Sequence, residues 1–383
     1  MPTSIDRRTL KLVTVVGARP QFIKAAALDW SIEAWNARSD AVVFDEVLVH
    51  TGQHYDYELS QLFFEELNIP KPAVNLDVKS GSHAAQTSKI MVGLESILET
   101  ERPDWVIVFG DTNSTLAAAL AAAKLKIPIA HVEAGLREHN RRIPEEINKI
   151  VADHLADLCF APTPTAMEIL EREGLSDRSI LVGDIMLDTT VRMLGQLSDE
   201  AVARTLDAYG VQKNGYALAT THRAVIRESS ALLRNVLQAL RTLPFPVILP
   251  LHPSTRSAIQ QHGLDDLLAS GTSLRPIAPV KYSDMLVLLS NCRVVLSDSG
   301  GLIKEAYYFR KPCVTLDYQT EWVETLAGGW NVIAGPDTER IIAAAMGEAP
   351  DPHRHRRDVF GSGQTAPRIL ESLGCGGRAH GIL

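Results

Sequence analysis

The sequence predicts a two-domain α/β chain in which each domain is built on a parallel sheet. Three observations carry that expectation. A chain of 383 residues is long for one hydrophobic core. Short, β-branched, wholly apolar runs alternate with stretches of helical period, the pattern of strands covered on both faces. These runs fall into two series, parted by a polar stretch without strand candidates, roughly 188–215.

In chain order the first series reads "LVTVVG" (12–17), "EVLVHTG" (46–52), "DWVIVFG" (104–110), "IPIAHVE" (127–133) and "DLCFAPT" (157–163). The second reads "YALATTH" (216–222), "PVILPLH" (246–252), "RVVLSDSG" (293–300), "PCVTLD" (312–317) and "NVIAG" (331–335). Helices are expected between them. In 85–98, Ile90, Met91, Leu94, Ile97 and Leu98 share a stripe; in 144–158, Ile147, Ile150, Val151, Leu155 and Leu158 do so behind Pro144, a favoured first helical residue. The domain boundary is placed at 187/188, with 188–355 forming the second domain.

Composition narrows the function classes. Lys and Arg number 38 against 46 Asp and Glu, a net charge of −8, which argues against a nucleic-acid or membrane surface. No run of about 18 apolar residues occurs, because Lys124 and Lys126 interrupt the longest candidate. The apolar stretch near the amino terminus is too short for a signal peptide, so a cytoplasmic protein is expected. Cys159, Cys292, Cys313 and Cys375 form no CxxC pair and read as free thiols in a reducing compartment. Neither HExxH nor GxSxG is present, and His353 and His355 read as a solvated turn, so neither a metal site nor a serine hydrolase is expected.

In doubly wound sheets, ligands bind beyond the carboxyl ends of the strands. Chemistry-bearing residues crowd such positions here: Arg19 and Lys24, Gln53 and His54, Asp111, Glu133, His222, His252 and "SDSGG". Capping explains each singly; together they favour a cleft between the domains. In "LSDSGGLIKEA" two glycines open a helix after a strand and present N–H groups at its positive end, a ready phosphate site. Glu305, one turn in, suits two vicinal ribose hydroxyls. Arg19 suits a diphosphate bidentately, and Lys24 adds a point charge. Carboxylates repel such a ligand, so Asp111, Glu133, Glu145 and Glu146 read as proton-transfer groups, against helix capping as the plainer account.

The motifs "GARPQFIKAA", "TGQHYD", "GDTNSTLAAALAA", "HVEAGLR", "PEEIN", "TTHRA", "LHPSTR" and "SDSGGLIKEA", in that order over about 12–335, resemble those of the non-hydrolysing UDP-N-acetylglucosamine 2-epimerases. The resemblance implies two Rossmann-like domains as in the GT-B glycosyltransferases, a helix at about 356–375 returning to the first domain, a homodimer, a UDP-sugar substrate and no cofactor. It assigns Asp111, Glu133, Glu145 and His222 to catalysis. Arg19, Lys24, Ser299, Gly300, Gly301 and Glu305 become UDP contacts, Met285 takes the place of an aromatic beside the uracil, and Gln53 and His54 belong to a regulatory UDP-sugar loop.

The family chemistry gives the carboxylates work: a C2 hydrogen is acidified as UDP leaves C1, and elimination followed by re-addition inverts C2. Three departures stand out. "DYQTEWVETL" puts Trp322 where an arginine helps hold UDP, and an indole there is expected to line the cleft and pack on sugar or uracil. "TTHRAVIRE" and the short "GLREHNRRIPEE" loop also differ, and "NRRIPEEIN" and "TEWVE" resemble the branch acting on UDP-2,3-diacetamido-2,3-dideoxyglucuronate. A GT-B glycosyltransferase, a hydrolysing epimerase and a non-catalytic nucleotide-sugar sensor are the alternatives.

Overall fold

The computed structural model describes residues 7–39, 41–53, 66–269, 271–356 and 358–375. The chain divides into two units, Met1–Val191 with Asp358–Leu383, and Arg192–Arg357.

In the first unit the described strands are β1 (Arg8–Val16), β2 (Val42–His50), β3 (Val74–Asn75), β4 (Trp105–Phe109), β5 (Ile129–Val132), β6 (Leu158–Ala161) and β7 (Ser179–Leu181). They lie in the order β3-β2-β1-β4-β5-β6-β7, every pairing parallel. Helices α1 (Arg19–Asn36), α2 (His83–Glu101), α3 (Asn113–Leu125), α4 (Pro144–Leu155), α5 (Pro164–Arg172) and α6 (Ile185–Gly195) connect or follow them. The strand order reverses between β1 and β4, so the turns after these two strands are where the fold offers a ligand site.

The second unit repeats the scheme. Strands β8 (Ala217–Thr220), β9 (Val247–Pro250), β10 (Leu274–Ile277), β11 (Val294–Ser297), β12 (Cys313–Thr315) and β13 (Asn331–Ile333) lie in the order β10-β9-β8-β11-β12-β13. All pairs are again parallel, and the reversal falls between β8 and β11. Its helices are α7 (Asp199–Ala208), α8 (Ala224–Arg227), α9 (Ser230–Thr242), α10 (Pro253–Gln261), α11 (Tyr282–Asn291), α12 (Gly300–Tyr308) and α13 (Thr338–Ala345). Helix α14 (Thr365–Gly374) buries Ala366, Ile369, Leu370 and Leu373 in the first unit's core beside Leu28 and Phe44. Asp188 Oδ2 accepts from Ala366 N at 2.8 Å and fastens its start.

Three expectations need correcting. The polar stretch 188–215 is largely helical, and the units divide inside α6, since its spacing is amphipathic although its composition is polar. Edge strands β3, β7 and β10 were not expected from the sequence because VN, SIL and LRPI contain polar residues or a proline in place of a continuous apolar run. Helix α4 buries Glu146, Asn148, Lys149, Ala152 and Asp153, while Ile147 is 42% exposed. Its apolar stripe therefore faces outward, and its polar face packs inward because that face holds the neighbouring turns. Cys159, Cys292 and Cys313 are buried thiols and Cys375 is exposed. No helix among the described residues is long and apolar enough to cross a membrane.

Candidate active site

In the first unit the turns after β1, β2 and β4 meet at a glycine. A Cβ on Gly17 would sit 2.1 Å from Ser114 Oγ and 2.3 Å from Thr51 Oγ1, so only glycine lets these turns close, and the two hydroxyls then bond each other at 2.8 Å. Arg19 stands next, at the first position of α1 and half-buried. Gln21, also on α1, accepts from the Gly17 and Ala18 N–H groups at 2.8 and 3.1 Å.

Lys24, one turn further, is only 5% exposed and ion-paired with Glu133. Glu133 directly follows β5 with φ +72°, a left-handed conformation uncommon for a residue with a side chain. Gly110 (φ +60°) makes room for the pair: a Cβ there would lie 3.0 Å from Glu133 Oε2 and 3.2 Å from Lys24 Nζ. Asp111 follows Gly110 and is half-buried. It does not cap α3, because Thr112 does so, accepting from Thr115 N at 3.3 Å.

The two acids at the start of α4 have different surroundings. Glu145 is exposed. Glu146 is 1% exposed and clasps the preceding loop, accepting from Glu138 N and His139 N at 2.9 Å each. Gln53 Oε1 accepts from Ser114 N at 2.9 Å and Ser114 Oγ at 2.6 Å, which holds the start of α3. His54 lies outside the described residues.

In the second unit, His222 follows β8 and is 45% exposed, with Nδ1 3.3 Å from Asp298 Oδ1. Asp298 was not singled out from the sequence, although an acid at the end of β11 was the available signal. It is buried, and Oδ2 accepts from Thr221 Oγ1 (3.0 Å), His222 N (2.8 Å) and Arg223 N (2.9 Å). Burial works to raise the Asp298 pKa, but the His222 charge, the imidazole hydrogen bond and the backbone N–H groups outweigh it and hold the carboxyl below its usual range. The carboxylate thus holds the His222 backbone through Oδ2, and Oδ1 lies within ion-pair range of the ring.

Ser299 stands at the N-cap position of α12, with Gly300 and Gly301 as its first residues, and all three are partly exposed. Their N–H groups sit at the positive end of the helix, open to an anion. Glu305 is buried on the next turn and accepts from Tyr282 Oη at 2.6 Å. Met285, on α11, is half-buried and packs on the core. Trp322 departs from expectation: it is 2% exposed, with Lys304 Nζ 3.9 Å from its ring centroid. A Cβ on Gly300 would lie 3.0 Å from its Nε1. The indole packs beside the glycine turn and is buried, not an exposed stacking surface. Apolar area and a cation–π contact outweigh exposure there.

The model of the family described as UDP-N-acetylglucosamine 2-epimerase matches residues 36–374. A protein of Methanococcus maripaludis named a UDP-N-acetylglucosamine 2-epimerase homolog is 42% identical over 366 residues, which are 95% of this chain and 99% of that protein. The UDP-2,3-diacetamido-2,3-dideoxy-D-glucuronate 2-epimerase of Pseudomonas aeruginosa is 40% identical over 370 residues, 95% of this chain and 99% of its own. Among solved structures, the Methanocaldococcus jannaschii UDP-GlcNAc 2-epimerase in complex with UDP-GlcNAc and UDP is similar at a TM-score of 0.87. It is 35% identical, with coverage of 96% of this chain and 100% of that one. By fold, motif and extent of match, the chain belongs to the UDP-N-acetylglucosamine 2-epimerase family.

Proposed function

We propose that the protein is a UDP-sugar 2-epimerase, an isomerase that interconverts UDP-GlcNAc and UDP-ManNAc. The observation that carries this reading is Glu133, a nearly buried carboxylate held in a left-handed turn against Lys24 at the end of β5. Such a group is poorly explained by stability alone. In the reaction, a carboxylate takes the C2 proton while the C1–O bond to UDP breaks, leaving a 2-acetamidoglucal and UDP. The diphosphate oxygen then re-adds to C1 and a proton enters the other face of C2. Asp111, Glu133, Glu145 and His222 are the proposed acid and base groups. Arg19, Ser299, Gly300 and Gly301 hold the diphosphate, whose charge grows as it leaves. Glu305 and Met285 serve the nucleoside, and Gln53 belongs to the regulatory loop.

One alternative substrate has specific support. The Pseudomonas relative and the "TEWVE" stretch favour UDP-2,3-diacetamido-2,3-dideoxyglucuronate. Incubation with each UDP-sugar in D2O, followed by NMR at C2, tests both. Deuterium should enter C2 of the true substrate and both epimers should accumulate. Binding of UDP without C2 exchange would defeat the epimerase reading, and free N-acetylmannosamine would make the enzyme a hydrolysing one.

The enzyme is further proposed to be cytoplasmic and to act as a homodimer. The outward apolar face of α4 supports association: Ile147 is exposed, and Ile150, Val151 and Leu155 are half-buried.

A further inference from the structure

Three consecutive backbone carbonyls in the turn that carries Asp111 are each held by a side chain from a different element. Gln21 Nε2, from α1, donates to Phe109 O at 2.8 Å. His131 Nε2, from β5, faces Gly110 O at 2.8 Å. Asn148 Nδ2, from α4, donates to Asp111 O at 2.8 Å. These side chains are 2%, 0% and 4% exposed. Ordinary helix and sheet hydrogen bonding requires none of them.

Each anchor is itself tied to another part of the site. Gln21 Oε1 accepts from the backbone beside Arg19, and its Nε2 also reaches Thr112 and Thr115 at 3.0 and 3.1 Å. His131 Nδ1 lies 2.6 Å from Asp153 Oδ1, and Asp153 also meets Arg137 at 2.7 Å and the Gly135 N–H at 3.1 Å. Since both ring nitrogens face oxygen acceptors, the imidazole is fixed against flipping. Asn148 lies one turn after Glu145 on α4 and also reaches Asn113 at 3.3 Å. The Arg19 turn, the Glu133 strand and the Glu145 helix are thereby indexed to one point, the peptide of Asp111.

We infer that Gln21, His131 and Asn148 are positioning residues that set the aim of the Asp111 carboxylate relative to Glu133 and Glu145. The inference rests on the proposed catalytic role of Asp111. A misplacement of about 1 Å at a reacting group costs on the order of a hundredfold in rate, so a turn fixed from three sides has catalytic value.

Near-isosteric variants of the whole enzyme test this. Gln21→Met removes the donor to Phe109 O together with the acceptor used by Gly17 and Ala18, and Asn148→Leu removes the donor to the Asp111 carbonyl; neither adds a charge. Each should lower kcat by about tenfold or more, while KM and UDP affinity stay within about twofold. His131→Gln, which retains an N–H near the Nε2 position, should keep more turnover than His131→Ala. Melting temperatures select the folded variants, and Asn148→Ala and Gln21→Ala replace any that fails to fold. Unchanged kcat in a folded anchor variant overturns the inference, as does a loss confined to KM. Asp111→Asn separates the two readings. If it is fully active, the role of Asp111 has failed; if it is inactive while the anchor variants are unimpaired, only the positioning has failed.

Discussion

Lys24 Nζ and Glu133 Oε2 form a buried ion pair whose side chains are 6% and 9% exposed, joining α1 to the end of β5 across 109 residues of sequence. Removing one partner of such a pair leaves an uncompensated charge in a poorly solvated place. Lys24→Met should therefore act through Glu133: turnover should fall by about a hundredfold, the scale of a disabled acid/base group, as it should in Glu133→Gln. UDP affinity, followed by calorimetry, should change far less in both. A collapse of UDP binding in Lys24→Met would instead return Lys24 to the diphosphate.

Trp322 gives a prediction opposite to the one its sequence position invites. As a buried ring beneath Lys304 and Gly300, its truncation to alanine should cost about 3–5 kcal/mol of stability, the scale of a large aromatic removed from a core. Trp322→Phe should retain most of that stability. Thermal unfolding measures both, and an alanine variant that melts like the parent would put the ring at the ligand after all. Gly300→Ala should weaken UDP binding, because its methyl group meets the indole and displaces the turn.

The outward stripe of α4 concerns assembly. Ile147→Asp places a charge on the proposed dimer face and should shift the sedimentation profile from dimer to monomer with little change in melting of the monomer, since Ile147 makes no core. An unchanged dimer would move the interface elsewhere.

Glu46 supplies a pH dependence. On β2 it accepts from Thr14 Oγ1 at 2.5 Å. Burial pushes its carboxyl up to about 7, the Thr14 hydrogen bond working against that and the Asp29 charge adding to it. The folded chain therefore holds this proton more tightly than the unfolded one, whose carboxyl titrates near 4.5. Its contribution to stability is complete below 4.5 and is lost as pH rises to about 7. Glu46→Gln should melt higher than the parent at pH 8, with the difference shrinking toward pH 4.5. A constant difference across that range would mean the carboxyl is not the titrating group.

Strand-end positions were legible in the sequence because a central parallel strand is apolar throughout and announces its own end. Asp111, Glu133, His222 and the glycine turn were found in that way. Partnerships were not legible. Nothing local says that Lys24 faces Glu133, because the contact is made by the sheet order and not by spacing. The buried face of α4 was misjudged for a related reason: periodicity finds the apolar stripe, yet Asn148 and Asp153 are needed inside, and hydrogen-bonding demand overrode hydrophobicity. Asp298 was hidden because an acid before a glycine turn looks like a cap until its oxygens are seen on His222.

That last relationship yields a test of mechanism. Asp298 lies 3.3 Å from His222 Nδ1 and accepts from the His222 and Arg223 N–H groups at 2.8 and 2.9 Å, so its effect on turnover is expected to run through the histidine. Asp298→Asn keeps the shape and one acceptor while removing the charge. Alone it should lower kcat by about tenfold or more, and His222→Ala by about a hundredfold. Residues that work as a unit are not additive, so Asp298→Asn in the His222→Ala background should cost little further turnover. KM and melting temperature, recorded for all four proteins, separate this from general damage to the turn. Full additivity of the two losses in kcat would show that Asp298 serves the reaction by another route, or serves only the fold.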